Sequence, residues 1–298
     1  MKLEKALSLE LGQNLAAEKA DQLYLTGKLR SKYEFECPDP NCDAQVTCAN
    51  LDRPKHLRKR DPYYKFVSQH KDNCNIGKEI KLKRGYTIGQ TDDLYGYEDV
   101  FHENSVRLNL QPPSVYRSDS NRRTEENKGD YRSLGHKNQY SGNRKIQQRK
   151  TLSALVDSFL NGENFDVQLP KTGFISLQDL FIKVDNQDIS ELQDDYRVYY
   201  GKAWLNKTVS GKEFYVRFVN KLRHGKLEIR PTFFISSELI EQYSYKKFHR
   251  HSLETLVNRT QKDIFLISET APVLDRAGKH INFYLEGLSY MDYRISRA

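Results

Sequence analysis

"YRVYYGKAWLNKTVSGKEFYVRFVNKLRHGKLEIRPTFFI", residues Tyr196–Ile235, sets the fold class of this 298-residue chain. Three runs rich in Tyr, Phe, Val and Ile are separated by Ser-Gly and His-Gly turns. They read as strands over Tyr196–Leu205, Glu213–Leu222 and Lys226–Ile235. In the middle run, alternation places Phe214, Val216 and Phe218 on one face and Tyr215, Arg217 and Val219 on the other. The first set has the character of a core.

Immediately downstream, Ser236–Asn258 carries Leu239, Ile240, Tyr243, Phe248, Leu253 and Leu256 near one helical face behind a serine cap, which predicts one long helix. Two further strands are expected over Asp263–Ser268 and His280–Ile295, the second bending at Gly287. Upstream, Thr151 can cap a short helix ending at Gly162, and Ser176 can cap a second. Three strands, a helix and two strands resemble the OB-fold in element order over Tyr196–Ile295. That resemblance implies a five-stranded, partly open barrel binding single strands or oligosaccharides across its second and third strands. On it, Tyr215 and Arg217 are the expected contacts.

The N-terminal part differs. Leu7, Leu11, Leu15, Leu23 and Leu25 have helical spacing over Leu3–Leu29. "KYEFEC" and "AQVTCAN" then alternate as short strands around the turn Pro38–Asn41. Three cysteines lie here, Cys37, Cys42 and Cys48, and the fourth, Cys74, follows His70 at x3 spacing. Zinc takes four soft or borderline ligands in a tetrahedron, usually as two close pairs on turns or short helices. Cys37, Cys42, His70 and Cys74 form such a set and predict a structural zinc ion. Cys48, in an alternating strand, reads as a small buried hydrophobe. His56 sits among Lys and Arg, where a second cation is disfavoured, although either residue could replace a ligand. With four protein ligands no open position remains for catalysis, and no catalytic residue is assigned.

Over Lys32–Asn75, "KYEFECPDPNCDAQVTC" followed by "YYKFVSQHKDNC" resembles the N-terminal zinc-binding modules of the bacterial CoiA-like competence proteins. In that group the module precedes a nuclease-like domain. The Asp and Glu-x-Lys that such a nuclease core requires are not found; "KLEIR" has no Lys two residues past its Glu.

Charge is uneven. Arg53–Arg84 holds 11 basic and 3 acidic residues and Glu103–Lys150 holds 11 and 5, which accounts for the positive excess of a chain whose net charge is +8. Clustered positive charge is the footprint of a polyanion binder. In "RPKHLRKRDPYYK", Arg53, Lys55, Arg58, Lys59, Arg60 and Lys65 surround Tyr63, pairing phosphate-binding cations with an aromatic face.

The expected organisation is α+β and β-rich. A helix and zinc-binding β module (1–102) and a flexible basic linker (103–145) precede the OB-like five-stranded barrel with its long helix (146–298). No run reaches the roughly 18 apolar residues of a membrane span, and no secretory signal is visible, so no membrane association and a cytoplasmic location are expected. The expected function is non-enzymatic binding of single-stranded or non-specific nucleic acid. The alternatives are a protein-interaction adaptor in a defence or replication complex and a nuclease subunit.

Overall fold

The computed structural model describes residues 3–86, 104–111, 148–170, 172–243, 245–257 and 260–295, with backbone alone for 81–86. Its N-terminal lobe is a five-stranded antiparallel sheet. Strands Lys5–Ser8 (β1) and Gln13–Ala16 (β2) form a hairpin, and helix Ala17–Leu25 (α1) follows directly. The expected single helix over Leu3–Leu29 is therefore corrected. Gly12 takes a left-handed turn (φ +64°), and the backbone before it pairs into a sheet instead of continuing a helix. Phe35–Glu36 (β3), Gln45–Ala49 (β4) and Tyr63–Phe66 (β5) complete the order β2-β1-β3-β4-β5. Ala6, Leu15, Leu29, Phe35, Val46, Cys48 and Tyr64 pack together as the core of this lobe, and helix Asn75–Tyr86 (α2) follows in sequence.

The second lobe begins inside the segment expected to be linker. Ser105–Asn109 (β6) lies between Gln148–Thr151 (β7) and Asp166–Leu169 (β8), parallel to both, with Gly173–Ser176 (β9) outside β8. Its Val106 and Leu108 are buried, the signal that the polar surroundings masked. The remainder of the expected linker, residue 103 and residues 112–145, lies outside the described residues. Helix Leu152–Leu160 (α3) starts where Thr151 Oγ1 accepts from Ala154 N–H (3.3 Å), and Leu177–Leu180 (α4) starts where Ser176 Oγ accepts from Asp179 N–H (3.1 Å), both as the caps predict.

Phe181–Lys183 (β10), Arg197–Lys207 (β11) and Phe214–Phe218 (β12) begin the largest sheet. A small hairpin, Leu222–His224 (β13) with Leu227–Ile229 (β14), precedes Thr232–Ile235 (β15). The long helix expected over Ser236–Asn258 is broken into Ser237–Glu241 (α5), a 3-10 turn at Lys246–Phe248 and Arg250–Leu256 (α6). The pieces keep Ile240, Tyr243, Phe248, Leu253 and Leu256 on the core, so burial is satisfied without one straight axis. Lys262–Ser268 (β16), Val273–Leu274 (β17), Ile281–Asn282 (β18) and Met291–Arg294 (β19) complete the chain.

The order is β17-β18-β15-β12-β11-β16-β19, with β10 beside the first half of β11. This sheet is open, and the expected five-stranded barrel is corrected. Closure would bring β15 to β19, but the outer edge of β15 is taken by β18 through Thr232↔Asn282.

One face of the sheet, through Tyr199, Ala203, Leu205, Phe214, Val216, Phe218, Phe233 and Ile235, forms the main core. The other face is half covered. Val198, Phe265 and Ile267 pack against α3, α4 and the β6–β9 sheet, while the remainder, around half-buried Trp204 and exposed Arg217, is left partly open among the described residues.

Candidate metal centre and open sheet face

Four ligand atoms converge in the N-terminal lobe. Cys37 directly follows β3, and Cys42 is held in the following turn by its N–H to Asp39 carbonyl (3.0 Å). His70 and Cys74 lie just before α2, where Cys74 N–H donates to Lys71 carbonyl (3.0 Å). The thiols of Cys37, Cys42 and Cys74 and Nδ1 of His70 all lie within 4.8 Å of one another. A tetrahedron with zinc–sulfur bonds of about 2.3 Å has sulfur–sulfur edges of about 3.8 Å and sulfur–nitrogen edges of about 3.6 Å. Cys37 Sγ to Cys74 Sγ is 3.7 Å; His70 Nδ1 lies 3.4 Å from Cys42 Sγ and 3.3 Å from Cys74 Sγ. The donor set and its edges fit a four-coordinate ion, and the expected ligands are the ones assembled.

Two residues that the sequence reading did not single out hold the site. Asp39 accepts Asn41 N–H at Oδ1 (2.9 Å) and Asn75 N–H at Oδ2 (2.7 Å), tying the first ligand turn to the start of α2. Those backbone donors lower its carboxyl below the usual range. The signal lay in the Pro-Asp-Pro-Asn turn, where an Asp is the natural acceptor of nearby N–H groups. Gly77 donates its N–H to Cys74 Sγ (3.2 Å), and a Cβ there would stand 2.8 Å from His70 Cβ. Burial pushes the Cys37 and Cys74 thiols above their usual range, so binding a metal would release protons. Cys48 is fully buried beside Phe35 and Tyr64, outside the cluster, as a small hydrophobe. His56 is exposed in the 3-10 turn Lys55–Leu57.

The basic stretch Arg53–Lys65 is placed otherwise than expected. Arg58, only 4% exposed at its side chain, makes a bidentate pair with Asp21 of α1 (2.8 and 3.0 Å). Arg60 and Lys65 both pair with Glu269 of the second lobe, and Lys65 also pairs with Glu286. Tyr63 is buried, with the Arg60 guanidinium 4.0 Å over its ring. Lys59 faces Asp195 (3.6 Å), Lys55 is 67% exposed, and Arg53 is half-buried. The cluster expected to contact phosphates is thus largely engaged inside the protein, because acidic side chains distant in sequence fold against it. Lys32 with Asp194, and Arg276 with Glu36, add further ion pairs between the lobes. The two modules expected on a flexible tether are docked.

Tyr215 and Arg217 do lie on the face that alternation predicts, opposite the buried Phe214, Val216 and Phe218. Register brings further residues to them. Trp204 stands opposite Arg217, which stands opposite Thr232; Asn206 stands opposite Tyr215, which stands opposite Phe234. Phe234 is 50% exposed, and Arg217 and Arg230 are exposed. Trp204 comes from the first run and Arg230 and Phe234 from the third, and strand pairing through the second brings them to one patch.

No protein-family profile, curated protein or solved structure matches this chain. The likenesses to CoiA-like modules and to OB-folds therefore rest on the residues and element order alone. No helix among the described residues is long and apolar enough to cross a membrane.

Proposed function

We propose that this chain is a non-enzymatic nucleic-acid-binding protein whose N-terminal lobe is stapled by one structural zinc ion and whose second lobe presents the binding surface. The observation that carries this reading is the open half of the large sheet, where exposed Arg217 and Arg230 flank Trp204, Tyr215 and Phe234. Cations beside aromatic rings are what a phosphate–sugar–base chain requires of a surface. Zinc, bound by Cys37, Cys42, His70 and Cys74, would fix the ligand turns and α2, and through β3 the strand that Arg276 grips at Phe35 carbonyl (3.0 Å). Among the described residues this Cys/His set is the one group of three or more metal-ligating side chains drawn together.

A salt series tests the proposal, with fluorescence anisotropy of labelled single- and double-stranded oligonucleotides as the readout. Affinity should fall steeply as salt rises, and Arg217→Ala with Arg230→Ala should reduce the log–log slope by about one for each phosphate that is no longer neutralised. Absence of binding at low salt would refute it. Salt-insensitive capture of a protein through Phe234 would favour the adaptor reading.

A further inference from the structure

The open face carries more aromatic surface than electrostatic attraction alone would use. Trp204, Tyr215 and Phe234 are the outward members of strands whose inward members already fill the core. The Tyr215 and Phe234 ring centroids are 6.2 Å apart. Trp204 is the diagonal neighbour of Tyr215 across β11 and β12, a relationship that spans about 7–8 Å in an antiparallel pair. The Arg230 guanidinium lies 6.0 Å from the Trp204 ring centroid, and Arg217 stands directly opposite Trp204. Asn206 and Thr232 sit in the same rows, the latter donating from Oγ1 to Asn282 Oδ1 (2.8 Å).

Resting on the nucleic-acid reading above, we infer that this face binds a single strand, with unpaired bases stacked on Trp204, Tyr215 and Phe234 and phosphates beside Arg217 and Arg230. A duplex turns its phosphates outward and keeps its base faces stacked on one another, which leaves three rings on a sheet nothing to stack on. Unpaired bases offer a π-face at every nucleotide, and stacking on aromatic side chains tolerates any sequence. The charge on the patch decides against a neutral apolar partner: both unburied arginines point to a polyanion. Lys202, at the rim, is already held by Asp263 (2.8 Å) and is not needed.

Trp204 is the only tryptophan in the chain, so intrinsic fluorescence of the full-length protein reports on this patch. The titrants are a short oligothymidylate, an abasic strand of equal length and charge, and a duplex. Stacking predicts quenching by oligothymidylate, and at least about tenfold weaker binding of the abasic strand and of the duplex. Phe234→Ala and Tyr215→Ala should each weaken oligothymidylate binding by about tenfold, within the range for removing one base–aromatic stack. Trp204→Phe should retain affinity by anisotropy where Trp204→Ala does not, and far-ultraviolet circular dichroism identifies any variant that fails to fold. Equal binding of all three titrants with unchanged emission would overturn the stacking inference and leave the nucleic-acid reading intact. Failure of every titrant to bind would overturn both. Emission that depends on protein concentration with no nucleic acid present would overturn it in favour of a second copy of the chain.

Discussion

Lys32 Nζ lies 2.8 Å from Asp194 Oδ2 across 162 positions of sequence, with both side chains buried. Burial alone would lower the lysine's affinity for its proton, and Asp194 more than restores it. The same carboxylate accepts the N–H groups of Asn50 (3.4 Å) and Ala271 (3.2 Å), so one side chain joins three segments from both lobes.

Asp194→Ala should therefore destabilise the protein by about 3–5 kcal/mol, because it leaves a buried ammonium with only the more exposed Asp52 beside it. Replacing both partners, Lys32→Met with Asp194→Leu, should cost clearly less. Urea denaturation monitored by circular dichroism compares the two, and equal losses would show that the pair is not what holds the lobes.

Gly77→Ala should weaken zinc binding by at least about tenfold, since its Cβ would lie closer to His70 Cβ than real contacts allow. Competition with a chromogenic chelator measures this. Unchanged affinity would mean that His70 can shift without leaving the ion.

Cys42→Ala should release zinc, whereas Cys48→Ala should keep it and lose roughly 1 kcal/mol of stability, the scale of one buried methylene. Metal content by elemental analysis separates the two roles. Zinc lost from both variants would reassign Cys48.

Acid should loosen the contact between the lobes through Glu269. Burial would raise its carboxyl, but Lys65 and then Arg60 hold it at about 2. In the unfolded chain a glutamate titrates near about 4.3. Because the folded value is the lower one, its contribution is complete above about pH 4.3 and is lost as pH falls towards 2. Glu269→Gln removes that contribution, so the gap in urea midpoint between wild type and variant should be widest near neutral pH and close through this window. Midpoints that stay parallel down to about pH 2 would contradict it.

The ligand set was legible because it is local: Cys37 with Cys42, and His70 with Cys74, carry their spacing on single turns, and a metal needs little more. The helix caps at Thr151 and Ser176, and the two faces of Phe214–Phe218, were legible for the same reason. Helical spacing of Leu7, Leu11 and Leu15 misled because Gly12 turns the chain into a hairpin in which Leu15, opposite Ala6, enters the core while Leu7 is half-buried on the other face and Leu11 is exposed. Strand β6 was hidden because five residues in polar surroundings show too little pattern to betray two parallel neighbours distant in sequence.

The metal-ligand set, the β-rich class and the alternation of individual strands all follow from spacing within a few residues, and so were readable without coordinates. Only long-range pairing leaves the large sheet open, because β18 rather than β19 takes the edge of β15. Long-range pairing also brings Arg58, Arg60 and Lys65 to Asp21, Glu269 and Glu286. Charge in a sequence has a sign but no partner. The partner is chosen by which carboxylates folding brings within reach, and here that choice takes Arg58, Arg60 and Lys65 largely out of solvent and leaves Arg217 and Arg230 exposed to it.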